Sequence, residues 1–105
     1  MFKITSLSNE IKILNDILYD IKEKRLISYL GHDENICIPN GIKLLGANSF
    51  FGKTVRQIKL PQSLEYIDET AFYWCFNLEQ IIVPKGIKNI SELIPAYLKE
   101  SIEEI

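Results

Sequence analysis

The chain has 105 residues and a formal net charge of −2, from 12 basic and 14 acidic side chains dispersed along it. That length is one domain, able to bury roughly two-thirds of its unfolded surface. The near-neutral balance gives no electrostatic case for nucleic acid or an anionic membrane as partner, and no apolar run approaches the roughly 18 residues of a membrane span.

Residues 2–14 alternate around Ser8-Asn9, with Phe2 and Ile4 before it and Ile11 and Ile13 after it. That pattern predicts a hairpin. A helix over 8–16 competes, with Ser8 as its cap and Ile11, Leu14 and Leu18 on one stripe. The region has Lys3 but neither a continuous apolar stretch nor a small-residue cleavage site, so no signal peptide is expected. With Met1 as the true start the expected compartment is the cytoplasm; a trimmed piece of a surface protein would instead be extracellular.

Residues 17–30 read as a second hairpin. Ile17, Tyr19 and Ile21 alternate on one arm, and either Leu26, Ser28 and Leu30 or Ile27 and Tyr29 alternate on the other. Lys22-Glu23-Lys24 makes the polar turn. Gly31-His32-Asp33-Glu34-Asn35 is a polar connection. His32 is read as a solvated loop residue, since a metal or general-base role needs further ligands or a nucleophile beside it.

From Ile36 a unit recurs. Ile36-Cys37-Ile38-Pro39 returns as Ile58-Lys59-Leu60-Pro61 and again as Ile81-Ile82-Val83-Pro84. An aliphatic residue follows three positions after each proline (Ile42, Leu64, Ile87), and another three further on (Leu45, Ile67, Ile90). A period in the twenties is the signature of a solenoid. Each recurrence is a short strand with its outer residues inward and its middle residue outward. It is ended by a proline that cannot donate a ladder hydrogen bond. Asn40-Gly41 and Lys85-Gly86 supply turn residues. A single unit cannot bury its own apolar side, so the units must stack and line up their strands as a parallel sheet. About three repeats is near the lower limit for stability, which requires capped ends.

The C-terminus has two readings. Pro95 can open a helix whose apolar stripe is Ile94, Tyr97/Leu98, Ile102 and Ile105. Alternatively, Ser101-Ile102-Glu103-Glu104-Ile105 leads into a fourth strand, as Asn77-Leu78-Glu79-Gln80-Ile81 leads into the third. A helix from about Pro95 to Lys99 followed by that strand satisfies both.

The repeated units resemble the BspA-like leucine-rich repeat family, which reads I-x-(I/L)-P-x-x-(I/L)-x-x-I-x-x-x-A-F-x-x-C-x-x-L-x-x-I. Residues 58–81 follow it nearly throughout, including Ala71-Phe72, Cys75 and Leu78. The first unit keeps Phe50, has Ser49 for the alanine, and lacks the cysteine; the third departs after Ile90, with Pro95 where the phenylalanine should fall. The segment 17–33 is similar to the family's preceding hairpin, F-x-I-x-x-G-x-L-x-x-Y-x-G-x-D. Tyr19, Ile21, Leu26, Tyr29, Gly31 and Asp33 stand in place, and Lys24 stands where a glycine is usual. The resemblance implies a curved right-handed solenoid that binds a protein or ligand. The fold class expected is therefore mainly β with short helical turns. It is a leucine-rich-repeat solenoid of about three repeats (34–90), with an N-terminal β-hairpin cap (1–33) and a short C-terminal helix or strand cap (91–105), all in one domain.

No catalytic motif accompanies this pattern: there is no G-x-S-x-G, P-loop or H-E-x-x-H. The resemblance puts Cys75 at a buried position, where a thiol is a small apolar residue. Cys37 points outward, so the two are not expected to pair, and a reducing compartment fits. Asp68-Glu69 and Glu103-Glu104 read as solvated carboxylates.

Two candidate surfaces remain. The outward strand columns are Asn35-Gln57-Gln80 and Cys37-Lys59-Ile82, flanked by Glu34, Arg56 and Glu79. A mixed face with Ile82 in its middle suits a protein epitope. The second is Tyr73, Trp74 and Phe76, large aromatics where the family prefers small or polar residues. They are either a binding anchor or packing under the capping segments and against Phe51. The expected function is a non-catalytic protein-interaction module without cofactor or metal. It would serve as a free-standing adaptor or inhibitor, including one encoded by a phage or other mobile element. A repeat fragment of a longer bacterial cell-surface adhesin is the alternative. Homodimerisation is open to either, through the C-terminal strand or the Trp74 patch.

Overall fold

A computed structural model describes residues 10–87 and 90–104. The expected strand–proline–turn unit is present; the first two units each contribute a strand to both of two sheets, and the third contributes one strand to the first sheet among the described residues. One sheet runs β4 (Asn35–Cys37), β6 (Gln57–Lys59), β8 (Gln80–Val83) and β9 (Ile102–Glu104), all parallel. The other runs β1 (Ile11–Leu14), β2 (Ile17–Asp20), β3 (Arg25–Tyr29), β5 (Leu44–Leu45) and β7 (Tyr66–Ile67). Short strands of two residues at β5 and β7 are not evident in the sequence pattern; there the units repeat Leu45 over Ile67.

The register follows the repeat. Ile36 pairs with Ile58, Ile58 with Ile81 and Ile81 with Ile102. Successive units are tied again at the strand entries, where one carbonyl takes two N–H donors. Glu34 O accepts from Arg56 and Gln57, and Arg56 O accepts from Glu79 and Gln80. On the other sheet Lys24 O accepts from Lys43 and Leu44, and Lys43 O from Glu65 and Tyr66. The turns are also bridged. Ser63 Oγ accepts from Gly41 N–H at 2.8 Å and donates to Ile42 O at 2.7 Å. Thr70 Oγ1 accepts from Asn48 N–H at 3.0 Å.

The core lies between the two sheets. Ile58, Leu45, Val55 and Ala71 are wholly enclosed, with Ile38, Leu60, Ile67 and Val83 nearly so. An aromatic column runs through it: Tyr29 stacks on Phe50 at 5.5 Å between ring centroids, and Phe50 on Phe72 at 5.2 Å. Burial of each such ring contributes roughly 1.5–3 kcal/mol. Ile94 is buried, and Pro95 stands 23 residues beyond Phe72, the same offset that pairs Ile58 with Ile81.

The N-terminal expectations are partly corrected. The helix competing over 8–16 does not form, because Ile11–Leu14 is a strand paired with Ile17–Asp20. The hairpin turn in the described residues is Asn15-Asp16, with φ of 51° and 64°. Both values are of the left-handed kind that a two-residue turn demands and Asn and Asp tolerate. The expected turn at Ser8-Asn9 and its arm with Phe2 and Ile4 lie outside the described residues. The hairpin of 17–30 forms, with Asp20 Oδ1 accepting from Lys22 and Glu23 N–H in its turn. Its second arm follows neither alternation throughout. Leu18 opposes Ser28 while Tyr19 opposes Leu26, so Ile27 is a bulged extra residue. A bulge reverses the parity, and both Leu26 and Tyr29 face the core. Ile21 is largely exposed. The hairpin lies against β5 through β3, covering that end of the second sheet.

At the C-terminus, α1 (Ile90–Leu93) precedes a 3-10 helix over Ala96–Ser101, and β9 follows it. The combined reading therefore holds, a helical turn and then a fourth strand; the longer helix stripe does not, because Ile102 lies in the strand paired with Ile81. Leu93, Ile94 and Leu98 are buried, whereas Tyr97 is half exposed.

Candidate functional site

The parallel pairing of β4, β6 and β8 places Asn35, Gln57 and Gln80 side by side, and Cys37, Lys59 and Ile82 side by side. Both expected columns are therefore brought together. Inward neighbours Ile36, Ile58 and Ile81 are buried, which fixes the other parity outward. Arg56 closes the edge of this face with both neighbours. Its Nη2 donates to Glu79 Oε2 at 3.0 Å and Oε1 at 3.2 Å, and its Nη1 lies 3.8 Å from Glu34 Oε1. The bond to Glu79 and the two flanking carboxylates push the Arg56 pKa further up. The pairs are exposed, so their worth is in geometry rather than stability. Arg56 is thereby neutralised, and Lys59 remains a cation without an ion pair among the described residues. A shallow polar groove lies at the strand starts, lined by Asn35, Arg56, Gln57, Glu79 and Gln80. A more apolar one lies at the strand ends, lined by Cys37, Ile38, Lys59, Leu60, Pro61 and Pro84 among others.

The aromatic residues form a second cluster. Trp74 stacks on Phe51 at 5.6 Å and touches Phe76 at 6.0 Å, while Tyr73 tilts against Tyr97 at 5.5 Å. Packing against Phe51 and the C-terminal segment is thus real, yet it does not bury the rings. Trp74 is 64% and Phe76 86% exposed. Phe51 and Tyr97 complete this ridge; the sequence offers Phe51 only as a packing neighbour of the aromatics and Tyr97 only on the apolar stripe of a C-terminal helix. Tyr97 O–H donates to Glu69 O at 2.7 Å. Partial burial pushes the Tyr97 phenol up to about 12. No hydrogen bond, ion pair or ring contact among the described residues links the ridge to the strand face.

The backbone explains why the family keeps small residues here. Trp74 has φ 65°, and Gly52, 22 residues earlier, has φ 67°. Gly52 N–H donates to Tyr73 O, so the two positions stack as equivalents. A left-handed backbone suits glycine and is strained for a bulky side chain.

The remaining candidates stay apart. His32 is exposed, and no group of three metal-ligating side chains occurs among the described residues. Both cysteines are free; Cys37 is exposed, and half-buried Cys75 donates its thiol to Phe50 O at 2.8 Å. Burial pushes the Cys75 thiol up, which opposes thiolate reactivity. A cleft that the sequence did not reveal opens between the hairpin and the first unit, about 220 Å³, walled by Leu14, Ile17, Tyr19, Ile21, Pro39 and Ile42 among others. No helix among the described residues is long and apolar enough to cross a membrane.

No curated protein and no solved structure matches the chain. The family model described as "BspA type Leucine rich repeat region (6 copies)" matches residues 23–96, taking in the second hairpin arm, every strand–proline unit and the aromatic ridge up to Phe76. On that match the chain belongs to the BspA-type leucine-rich-repeat family, whose repeats are protein-interaction units.

Proposed function

We propose that the chain is a non-catalytic protein-interaction module that works as a small adaptor or inhibitor by occupying another protein's surface. In this reading it is one domain, a solenoid in which 34–90 carry the repeats and 1–33 and 91–105 cap them. The in-register strand ladder supports the solenoid, as does the hairpin laid against β5. The observation that carries the function is the strand face itself. Stacking turns Gln57, Lys59, Gln80 and Ile82 into one surface, with Arg56 neutralised at its edge by Glu79 and Glu34. Amides, a cation with no ion pair among the described residues and a central apolar residue offer hydrogen bonding and a desolvated centre, as a protein contact requires. They offer neither the basic stripe nucleic acid needs nor the convergent acid and base of an active site. The free thiols fit a reducing compartment.

The test is affinity capture from the native host's lysate with wild type and with Lys59→Glu/Ile82→Glu. The module binding through its strand face captures one protein that the double variant loses. Capture unchanged by the double variant would remove the strand face from the reading.

A further inference from the structure

We propose that the aromatic ridge is the contact of a two-fold homodimer, pairing two copies of this chain through Phe51, Trp74 and Phe76 with Tyr73 and Tyr97 beside them. The inference goes beyond the strand-face reading and does not depend on it.

The size of the ridge comes first. An aromatic side chain presents about 150–250 Å². At their fractional exposures, from 37% for Tyr73 to 86% for Phe76, the five rings leave on the order of 500–600 Å² uncovered. That reaches the upper end of the largest apolar patch on an ordinary monomer. It would fill most of the roughly 800 Å² that each partner contributes to a stable interface.

The backbone adds an independent observation. Trp74 holds φ 65° where the preceding unit has Gly52. The chain keeps its largest side chain in a strained conformation, yet 64% of it stays outside the chain's own core. Strain of this kind collects at functional contacts.

The charges point to a second copy as the occupant. The five ridge residues are uncharged, and two-fold symmetry brings like surface onto like surface. Uncharged rings tolerate that, and a ridge of one charge sign would not. The ends of the ridge differ in sign. Lys53 follows the Phe51 end, with its Nζ 5.7 Å from the Tyr29 ring. Glu69 and Glu92 line a shallow cleft beside Ala96 at the Tyr97 end. None of the three is in an ion pair among the described residues. An antiparallel pairing across the two-fold axis sets Lys53 of one copy toward Glu69 and Glu92 of the other.

The experiment is sedimentation equilibrium on the full chain. Wild type is expected to dimerise well below about 100 μM. Trp74→Gly, which supplies the residue the backbone favours, and Phe76→Ser, at an exposed position, are each expected to weaken the dimer at least tenfold with an unchanged far-UV circular dichroism spectrum. Lys53→Glu is expected to weaken it too, and adding Glu69→Lys/Glu92→Lys to restore it. Lys59→Glu/Ile82→Glu leaves the dimer intact, so failure here and failure of the strand-face reading are distinguishable. A wild type that is monomeric at about 100 μM overturns the proposal and gives the ridge to a different protein. A dimer that survives both Trp74→Gly and Phe76→Ser overturns it in favour of the β9 edge.

Discussion

At the residue scale, Lys24 and Ser49, like Trp74, combine a family departure with a physical cost. Lys24 has φ 58° at the turn into β3, where the family uses glycine. Lys24→Gly is expected to stabilise the fold by about 0.5–1 kcal/mol, since the left-handed region costs an L-residue slightly more than glycine's extra chain entropy. Urea unfolding reads this as a raised midpoint with unchanged slope. Ser49 replaces the alanine that stands as Ala71 one unit later, and its buried Oγ has no hydrogen-bond partner among the described residues. Ser49→Ala is expected to gain about 1 kcal/mol, the penalty of an unpaired buried hydroxyl. A loss of stability there would show the hydroxyl to be satisfied. Both departures are legible by setting one unit over another. Their cause is not, because neither backbone sign nor hydroxyl partnering is written in a pattern of apolar positions. Gly31 is the converse case: it is buried, and a Cβ there would collide with the Tyr29 phenol, which also accepts the Asp33 N–H at 3.0 Å.

At the element scale, the aromatic column and the aromatic ridge differ by one residue in sequence and entirely in role. Phe72 is 2% exposed and stacked on Phe50. Phe72→Ala is expected to cost about 3–5 kcal/mol, whereas Trp74→Gly changes stability by no more than about 1 kcal/mol, because lost stacking on Phe51 is set against relieved strain. Equal losses would place Trp74 in the core and end its role as a contact. The C-terminal segment docks through the Tyr97 phenol, which donates to Glu69 O. Its folded pKa is raised from 10.0 to about 12, chiefly by burial. The neutral phenol is therefore favoured in the folded state. Its contribution is fully present below pH 10.0 and is lost as pH rises through about 12. Alkaline melting of wild type against Tyr97→Phe checks this: the variant starts less stable and loses less across that window. The strands of the units and the final strand could be read from the repeat. The bulge at Ile27 could not, because one inserted residue reverses parity without disturbing composition. The two-residue strands β5 and β7 were equally hidden, being too short to show a period.

At the scale of the whole molecule, a period of 22 to 23 residues is enough to specify which residues stack. Both outward columns of the strand face followed from it, whereas the covering hairpin was legible from the alternation of residues 17–30. The extent of the ridge did not, because Tyr97 reaches it only through the fold of the C-terminal segment. The two surfaces share no contact among the described residues, so the proposed dimer would present two strand faces and hold a partner with two sites more tightly than contacts alone provide. The most direct measurement of the strand face's role is site-specific photo-crosslinking. A photoreactive residue is placed singly at Lys59, at Ile82, or at Glu65, which is exposed on the turn before β7, and each protein is exposed to host lysate. Positions 59 and 82 are expected to trap the same protein and position 65 is not. Trapping from 65 alone, or of different proteins from 59 and 82, would contradict that role.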